Sequence, residues 1–358
     1  MTIVTRTNGY TSQVGIDGFV TVALMNGSTT TAAMNSVAVN PSGLFVAIGH
    51  DSSSAPVYAT STDGVKWTTP ARMNGSAAYA IMTSVAVNSS GLFVAVGYDG
   101  SSAAVYATSA NGSTWTTPAR MNGSAGQVII NAITVNSAGL FVAVGYEASG
   151  TPVSGAPMYA TSANGSTWTT PARMNGSVTF SVMNAITVNS SGLFVSVGYD
   201  SSIAPMYATS ANGSTWTTPA RMNGSSTYAH MTSIAVNSSG LFVSIGYNNF
   251  GQPVFATSAN GSTWITPTSM NGYALVANMF SIAVNAQGRF VAAAFSDNYV
   301  PLYATSTNGS TWTSPTVMGS SGDQAGGMYS VTVSSAGLFV AVGEAFSGPP
   351  VASYGVWP

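Results

Sequence analysis

Six arginines, one lysine, seven aspartates, two glutamates and two histidines carry almost all the ionic chemistry of this 358-residue chain. Cysteine is absent, which excludes a thiolate nucleophile, a disulfide framework and a Cys-ligated metal. With only His50 and His230, there is little from which to build a histidine metal site or a catalytic base. The spacing of the rest is regular. Arg72, Arg120, Arg173 and Arg221 each sit in the phrase Pro-Ala-Arg-Met, while Asp51, Asp99, Glu147 and Asp200 each follow His50, Tyr98, Tyr146 or Tyr199. One chemistry these residue types offer is the Arg–carboxylate ion pair. The other is recognition of a sugar by aromatic stacking beside carboxylates and amides, which needs no net charge.

Charged residues make up 4% of the chain, against about 25% in an ordinary globular protein. Seven cations spread over this length cannot neutralise a run of phosphates, so nucleic acid is a poor partner, as is an anionic membrane surface. The chain is nevertheless 45% hydrophobic and has 7 Trp, 16 Tyr and 14 Phe, enough for a large core. No apolar run reaches the roughly 20 residues of a spanning helix, and Met1 to Gly9 lacks the pattern of a signal peptide.

Self-similarity sets the organisation. Gly-Leu-Phe-Val-Ala-Val-Gly or a close variant begins at Gly43, Gly91, Gly139, Gly192, Gly240, Gly288 and Gly337, at steps of 48, 48, 53, 48, 48 and 49 residues. The longer step reflects an insertion near Ser149 to Gly155. Each unit predicts four short strands. In the second copy, strand A is expected at Ser84–Val87, B at Leu92–Tyr98, C at Val105–Thr108 and D at Thr114–Thr117, divided by Asn-Gly and Ser-Gly turns. Strand B is apolar on both faces, as a sheet sandwiched between two others requires.

The expected fold is therefore all-β, a single seven-bladed β-propeller of four-stranded antiparallel blades. Its blades are expected at residues 25–72, 73–120, 121–173, 174–221, 222–269, 270–317 and 318–358. The last of these supplies only strands A to C. Phe19 to Leu24 (19–24) reads as the missing seventh strand D, closing the ring behind an N-terminal arm at 1–18. An open β-solenoid is the structural alternative.

The turn between strands C and D carries a motif: Ser61-Thr62-Asp63-Gly64 leading to Trp67, then Ser109-Ala110-Asn111-Gly112 leading to Trp115. It recurs with Asn164 and Trp168, Asn212 and Trp216, Asn260 and Trp264, and Asn308 and Trp312. The pattern resembles the Asp-box (BNR) repeat of sialidase-like propellers, with Asn replacing Asp in five of six copies and one residue fewer before the glycine. The resemblance implies a structural role. The short polar side chain would bond the turn backbone and the Trp would pack into the blade. Similar repeats occur in phage and viral appendages and in bacterial surface proteins.

Sialidases as a family use three convergent arginines, a Tyr–Glu nucleophile pair and an Asp acid/base. Four of the six arginines, Arg72, Arg120, Arg173 and Arg221, occupy equivalent places around a ring and do not converge on one ligand. Glu147 and Glu344 fall in non-adjacent blades, whereas glycoside hydrolysis needs carboxylates about 5–9.5 Å apart. No enzyme activity, metal or other cofactor is expected.

The arginines are better placed to pair with the acids after strand B. Asp297 and Glu344 look like further members of that acid series without a matching arginine. The loops from B to C and from D to A share one face and vary most between copies. Candidate ligand residues on that face are His50, Tyr98, Asp99, Tyr146, Tyr199, Asp200, Tyr247, Tyr79 and Tyr228. The same rings would equally serve to close the top of each blade's core. His230 reads as an ordinary loop residue. The functional expectation is a non-catalytic binding module for a cell-surface glycan or receptor, extracellular or on a virion or cell surface. An architectural subunit of a larger assembly is the alternative, and a degenerate sialidase-like enzyme the third.

Overall fold

The computed structural model describes residues 4–7, 10–13, 18–27, 31–76, 78–123, 127–148, 155–176, 180–225, 228–272, 276–319, 326–346 and 348–357. Half of the N-terminal arm and most of the insertion near Ser149 lie outside the described residues.

The Gly-Leu-Phe-Val phrase is the start of a strand that has neighbours on both sides. In blade two, strand B (Phe93–Asp99) pairs with strand A (Ala80–Val87) and strand C (Ala104–Ser109), and C pairs with strand D (Ala119–Arg120). Phe93, Val94, Ala95 and Val96 are fully buried, so both faces of the strand lie in apolar surroundings. The core runs between blades. Val46 and Ile48 of blade one pack with Met82, Phe93 and Trp115 of blade two, and the same kind of cluster recurs around the ring. Seven such four-stranded antiparallel sheets follow one another. Successive A strands pack on each other, and that of blade seven (Gly326–Val333) packs on that of blade one (Ala32–Val39).

Strand Gly18–Leu24 completes blade seven by pairing antiparallel with Pro350–Val356, Gly18 opposite Val356 and Leu24 opposite Val351. It is seven residues long, whereas strand D elsewhere has only two. Trp357 packs edge-on to Phe19 at 5.3 Å and to Phe339 at 5.2 Å, and lies 5.7 Å from Tyr303 of blade six. Trp115 similarly meets Tyr58 of blade one at 6.2 Å, so Trp357 supplies the interblade ring that blade seven gets from no motif. A separate hairpin, Val4–Thr7 with Tyr10–Gln13, forms its own two-stranded sheet.

The C-to-D turns are built by their short polar side chains. Asn111 Oδ1 accepts the Ser113 and Thr114 amide N–H groups at 3.0 and 2.8 Å, and Asp63 does the same for Val65 and Lys66 at 2.9 and 2.8 Å. An amide oxygen and a carboxylate oxygen perform the same task, which is why Asn replaces Asp freely. Ser61 Oγ accepts the Gly64 N–H at 2.8 Å. Trp67, Trp115, Trp168, Trp216, Trp264 and Trp312 are buried, each indole N–H donating to the carbonyl of the turn glycine. Asn164, Asn212, Asn260 and Asn308 repeat the Asn111 bonds.

One strand moves from its expected place. Thr114–Thr117 is not strand D but the exit of the turn. There the Thr108 N–H donates to Thr116 Oγ1 at 2.9 Å rather than to a backbone carbonyl, and Pro118 has no N–H to give. Ladder pairing resumes only at Ala119–Arg120. Strand D then runs into Met121-Asn122-Gly123, whose Asn adopts a left-handed φ of 43° and donates to Thr170 Oγ1 of the next blade at 2.5 Å. Equivalent stitches join Asn26 to Thr69, Asn74 to Thr117, Asn175 to Thr218, Asn223 to Thr266 and Asn271 to Ser314.

Candidate functional site

The loop face is organised first by ion pairs. Arg72–Asp51, Arg120–Asp99, Arg173–Glu147 and Arg221–Asp200 lie at 2.6, 2.7, 2.6 and 2.6 Å. Each joins the second residue of strand D to the last residue of strand B. Asp99 Oδ2 takes the arginine, while its Oδ1 accepts the Ser101 and Ala103 N–H groups at 2.8 and 3.0 Å. Desolvation would raise this carboxyl, but those backbone donors and Arg120 outweigh it and hold it below the ordinary aspartate value; Asp51 behaves alike. Asp200 makes the same three contacts. Both oxygens of Asp99 and of Asp200 are thus engaged in the turn and the ion pair.

The irregularity in blades six and seven also resolves. Phe295 pairs with Pro301 as Tyr98 pairs with Ala104, so Ser296, not Asp297, holds the position of Asp99. Ser296 Oγ accepts the Asn298 and Val300 N–H groups in its place. In blade seven Glu344 pairs with Pro350 and therefore holds the position of Tyr98, leaving Ala345 at that of Asp99. In blade five the position is Asn248, a neutral cap accepting from Phe250 and Gln252 at 2.9 and 3.0 Å. Across all seven blades an arginine is present where an acid occupies this position and absent where none does.

Nearer the axis, His50, Tyr98, Tyr146, Tyr199, Tyr247, Phe295 and Glu344 occupy one equivalent position at the end of strand B, each part-buried. Burial raises the phenols of Tyr98, Tyr146, Tyr199 and Tyr247, so they are neutral at pH 7. Burial also raises the Glu344 carboxyl.

A second ring comes from a bulge in strand A, after the buried methionine. Asn35, Thr83, Asn131, Asn184 and Thr232 sit there and donate to the bulge carbonyl of the next blade, at 2.7–2.9 Å. In blades six and seven the position is Phe280 and Tyr329, and aromatic contacts take the place of this belt.

The two rings merge on one side of the axis. His230 does not lie in a loop, as expected from sequence, but opens strand A of blade five (His230–Val236). It lies 4.2 Å from Tyr199 and stacks on Tyr247 at 5.0 Å and 18°. Phe280 follows at 6.2 Å from Tyr247 and stacks on Phe295 at 4.8 Å. Burial lowers the pKa of His230, so its imidazole is neutral near pH 7. Asn184, Tyr199, His230, Thr232, Tyr247 and Phe280 line an open cavity of about 320 Å³. Its lining carries no charge at neutral pH and combines aromatic faces with the amide of Asn184 and the hydroxyls of Thr232, Tyr199 and Tyr247.

Of the expected ligand residues, Tyr199 and Tyr247 line this cavity and Tyr228 lies 5.7 Å from His230. Tyr98 and Tyr146 continue the ring away from it. Tyr79 is exposed in blade two, where its ring covers Gly100. His50 lies in a different cleft of about 210 Å³, with Asp51 and Glu344. His230, Thr232, Asn184 and Phe280 were not anticipated. The signal for three of them was present in the residue after each strand-A methionine, which reads Asn, Thr, Asn, Asn, Thr, Phe, Tyr around the ring, with Ile130 replacing methionine in blade three.

Among the described residues no group of three His, Asp or Glu side chains is placed to hold a metal, and no helix is long and apolar enough to cross a membrane.

The strand order and closure define a seven-bladed β-propeller. Solved structures agree at the level of fold. The chain is similar to YCF48 bound to a D1 peptide, at 16% identity over 96% of this chain and 99% of that one, with a TM-score of 0.64. It is also similar to the BP39L lectin of Burkholderia pseudomallei, at 14% identity over 91% and 96%, with a TM-score of 0.69. YCF48 from Cyanidioschyzon merolae matches at 14% identity over 94% and 99%, with a TM-score of 0.62. No family model and no curated sequence matches.

Proposed function

We propose that this chain is a non-catalytic binding propeller that recognises an uncharged glycan, displayed on a cell-surface partner, through the axial aromatic cavity of blades four to six. The observation that carries this reading is the composition of that cavity: a chain of neutral rings in mutual contact, Tyr199, His230, Tyr247 and Phe280, beside the amide of Asn184 and the hydroxyl of Thr232. A pyranose presents an apolar C–H face to such rings, and its hydroxyls can donate to the Asn184 and Thr232 side-chain oxygens, whose own donors serve the belt, and pair with the tyrosine hydroxyls. The four arginines are held by carboxylates on the strand D side of the loops, so a sialic acid carboxylate has no cation waiting in the cavity. A lectin and a peptide-binding protein among similar folds are consistent with a binding role, and the C-to-D turns fit an Asp-box scaffold.

The test is a glycan array probed with multimerised protein, alongside a Tyr199→Ala/Tyr247→Ala variant of unchanged melting temperature. Binding by the parent and loss in the variant supports the reading; retention in the variant, or no binding by the parent, counts against it.

A second reading, an architectural subunit, is favoured by one feature. Tyr79, Phe180, Tyr228, Phe250, Tyr299 and Phe346 are 38–75% exposed, and all belong to the loop face. In that case the native assembly buries more than about 1,000 Å² there.

A further inference from the structure

Blade five lacks both members of the ion pair, which leaves space behind. Ser269 pairs with Val254 as Arg72 pairs with Val57 and Arg120 with Val105, so it stands where four other blades carry an arginine. Asn248 stands where they carry the acid. With a serine for the long guanidinium side chain, a slot of about 200 Å³ opens between the B-to-C loop and strand D. Its walls are Tyr228, Ala229, Val254 and Pro267, with Asn248, Asn249 and Ser269 as the polar lining.

We propose that this slot is a second sugar-binding subsite, taking a single uncharged pyranose unit of the same glycan chain. This rests on the glycan reading of the axial cavity. The size fits one ring, being below the roughly 300–1,000 Å³ of sites that enclose drug-sized molecules. The chemistry fits as well. One aromatic ring and three aliphatic side chains face the slot, and none of its lining residues is charged at neutral pH, so an anion or cation gains no partner there. The Asn248 amide is engaged in its turn, accepting from Phe250 and Gln252 and donating to Gln252 Oε1 at 2.8 Å. Hydrogen bonds to sugar hydroxyls therefore fall to Asn249 and Ser269. The slot and the axial cavity adjoin, because Tyr228, two residues before strand A of blade five, lines one, His230, its first residue, lines the other, and their rings are 5.7 Å apart. A chain of two or three units can then run outward from the axis, with Tyr228 between its subsites.

The two sites have separate reporters. Neutral mono-, di- and trisaccharides of glucose, galactose, mannose and N-acetylglucosamine are titrated into the full chain while the side-chain amide resonances of Asn184 and Asn249 are followed by NMR. The expected result is that a bound di- or trisaccharide shifts both. In an Asn248→Asp/Ser269→Arg variant, which rebuilds the pair of the other four blades, the Asn249 shift disappears and trisaccharide affinity falls about tenfold. The Asn184 response to monosaccharide persists. Asn249→Ala, at an exposed loop position, weakens trisaccharide binding without disturbing the fold. Should Asn184 shift while Asn249 stays silent, with trisaccharide affinity unchanged in both variants, the slot is no subsite and the axial reading survives. A shift of Asn249 alone removes the axial cavity and overturns the slot's place as a second subsite, leaving it a sugar site by itself. Silence of both amides toward every sugar overturns both.

Discussion

Arg120 and Asp99 form one ion pair, yet the aspartate does more. Arg120 is substantially exposed, and pairs of that kind contribute about 0.2–1 kcal/mol. Asp99 also accepts two turn N–H groups, whose loss costs a further ~1–3 kcal/mol. Urea denaturation is therefore expected to rank Asp99→Ala well below Arg120→Ala in stability; equal effects would contradict the turn-forming role.

The histidines give a pH dependence of definite sign. Burial is the main cause lowering both, so below the ordinary histidine range the unfolded chain takes up protons that the folded chain refuses. Stability is full above about pH 6.5 and is lost as pH falls from there through the lower folded values. The aspartates act in a separate window. Asp51 and Asp99, held low, keep their contribution until pH falls below the ordinary carboxylate value. A melting-temperature profile should show an upper step that His230→Asn/His50→Asn removes and a lower, acid step that it leaves in place.

At the scale of the element, the C-to-D turn is where sequence and packing meet most tightly. Gly112 has φ +75°, and a Cβ there would lie 2.7 Å from Val46 Cγ2 of the preceding blade. Gly139, at φ +85°, has open space around it. Gly139→Ala should cost only backbone strain, about 1 kcal/mol. Gly112→Ala should add an interblade clash of roughly 1–3 kcal/mol. Chemical denaturation of the two variants checks the order.

Strands A to C were legible because apolar runs and Asn-Gly turns mark them directly. Strand D was not, since Trp115 and its flanking threonines have high β propensity yet serve the turn, while the real strand is two residues after a proline. The axial cavity was hidden for a related reason. The bulge in strand A interrupts the alternation of faces, so Asn184, Thr232 and Phe280 follow no period of two. Asp297 and Glu344 misled by residue type; their strand register, one residue off, reassigns them.

At the scale of the molecule, the ring is held by its closing strand. Removal of residues 1–17 leaves strand Gly18–Leu24 in place and is expected to preserve the melting temperature. Removal through Leu24 strips Phe19 and Val22 from the core and exposes the edge of Pro350–Val356. That truncation should lose several kcal/mol, of the order of ~3–5 for Phe19 alone, and aggregate in size-exclusion chromatography. The number of blades follows from the seven repeats, but ring closure was legible only because the first and last segments each lack what the other supplies.

The geometry of that closure fixes how the molecule answers to force. Gly18 and Val356 face each other at the same end of the ladder, so tension between them pulls across the strands and parts their hydrogen bonds one after another, as a zipper opens. A load applied at two points on one flank, such as Asn122 and Thr170, instead falls first on a side-chain stitch backed by a packed interblade core. The propeller is mechanically weak along its own seam and firm elsewhere, and it withstands flow or traction best when anchored through one terminus alone.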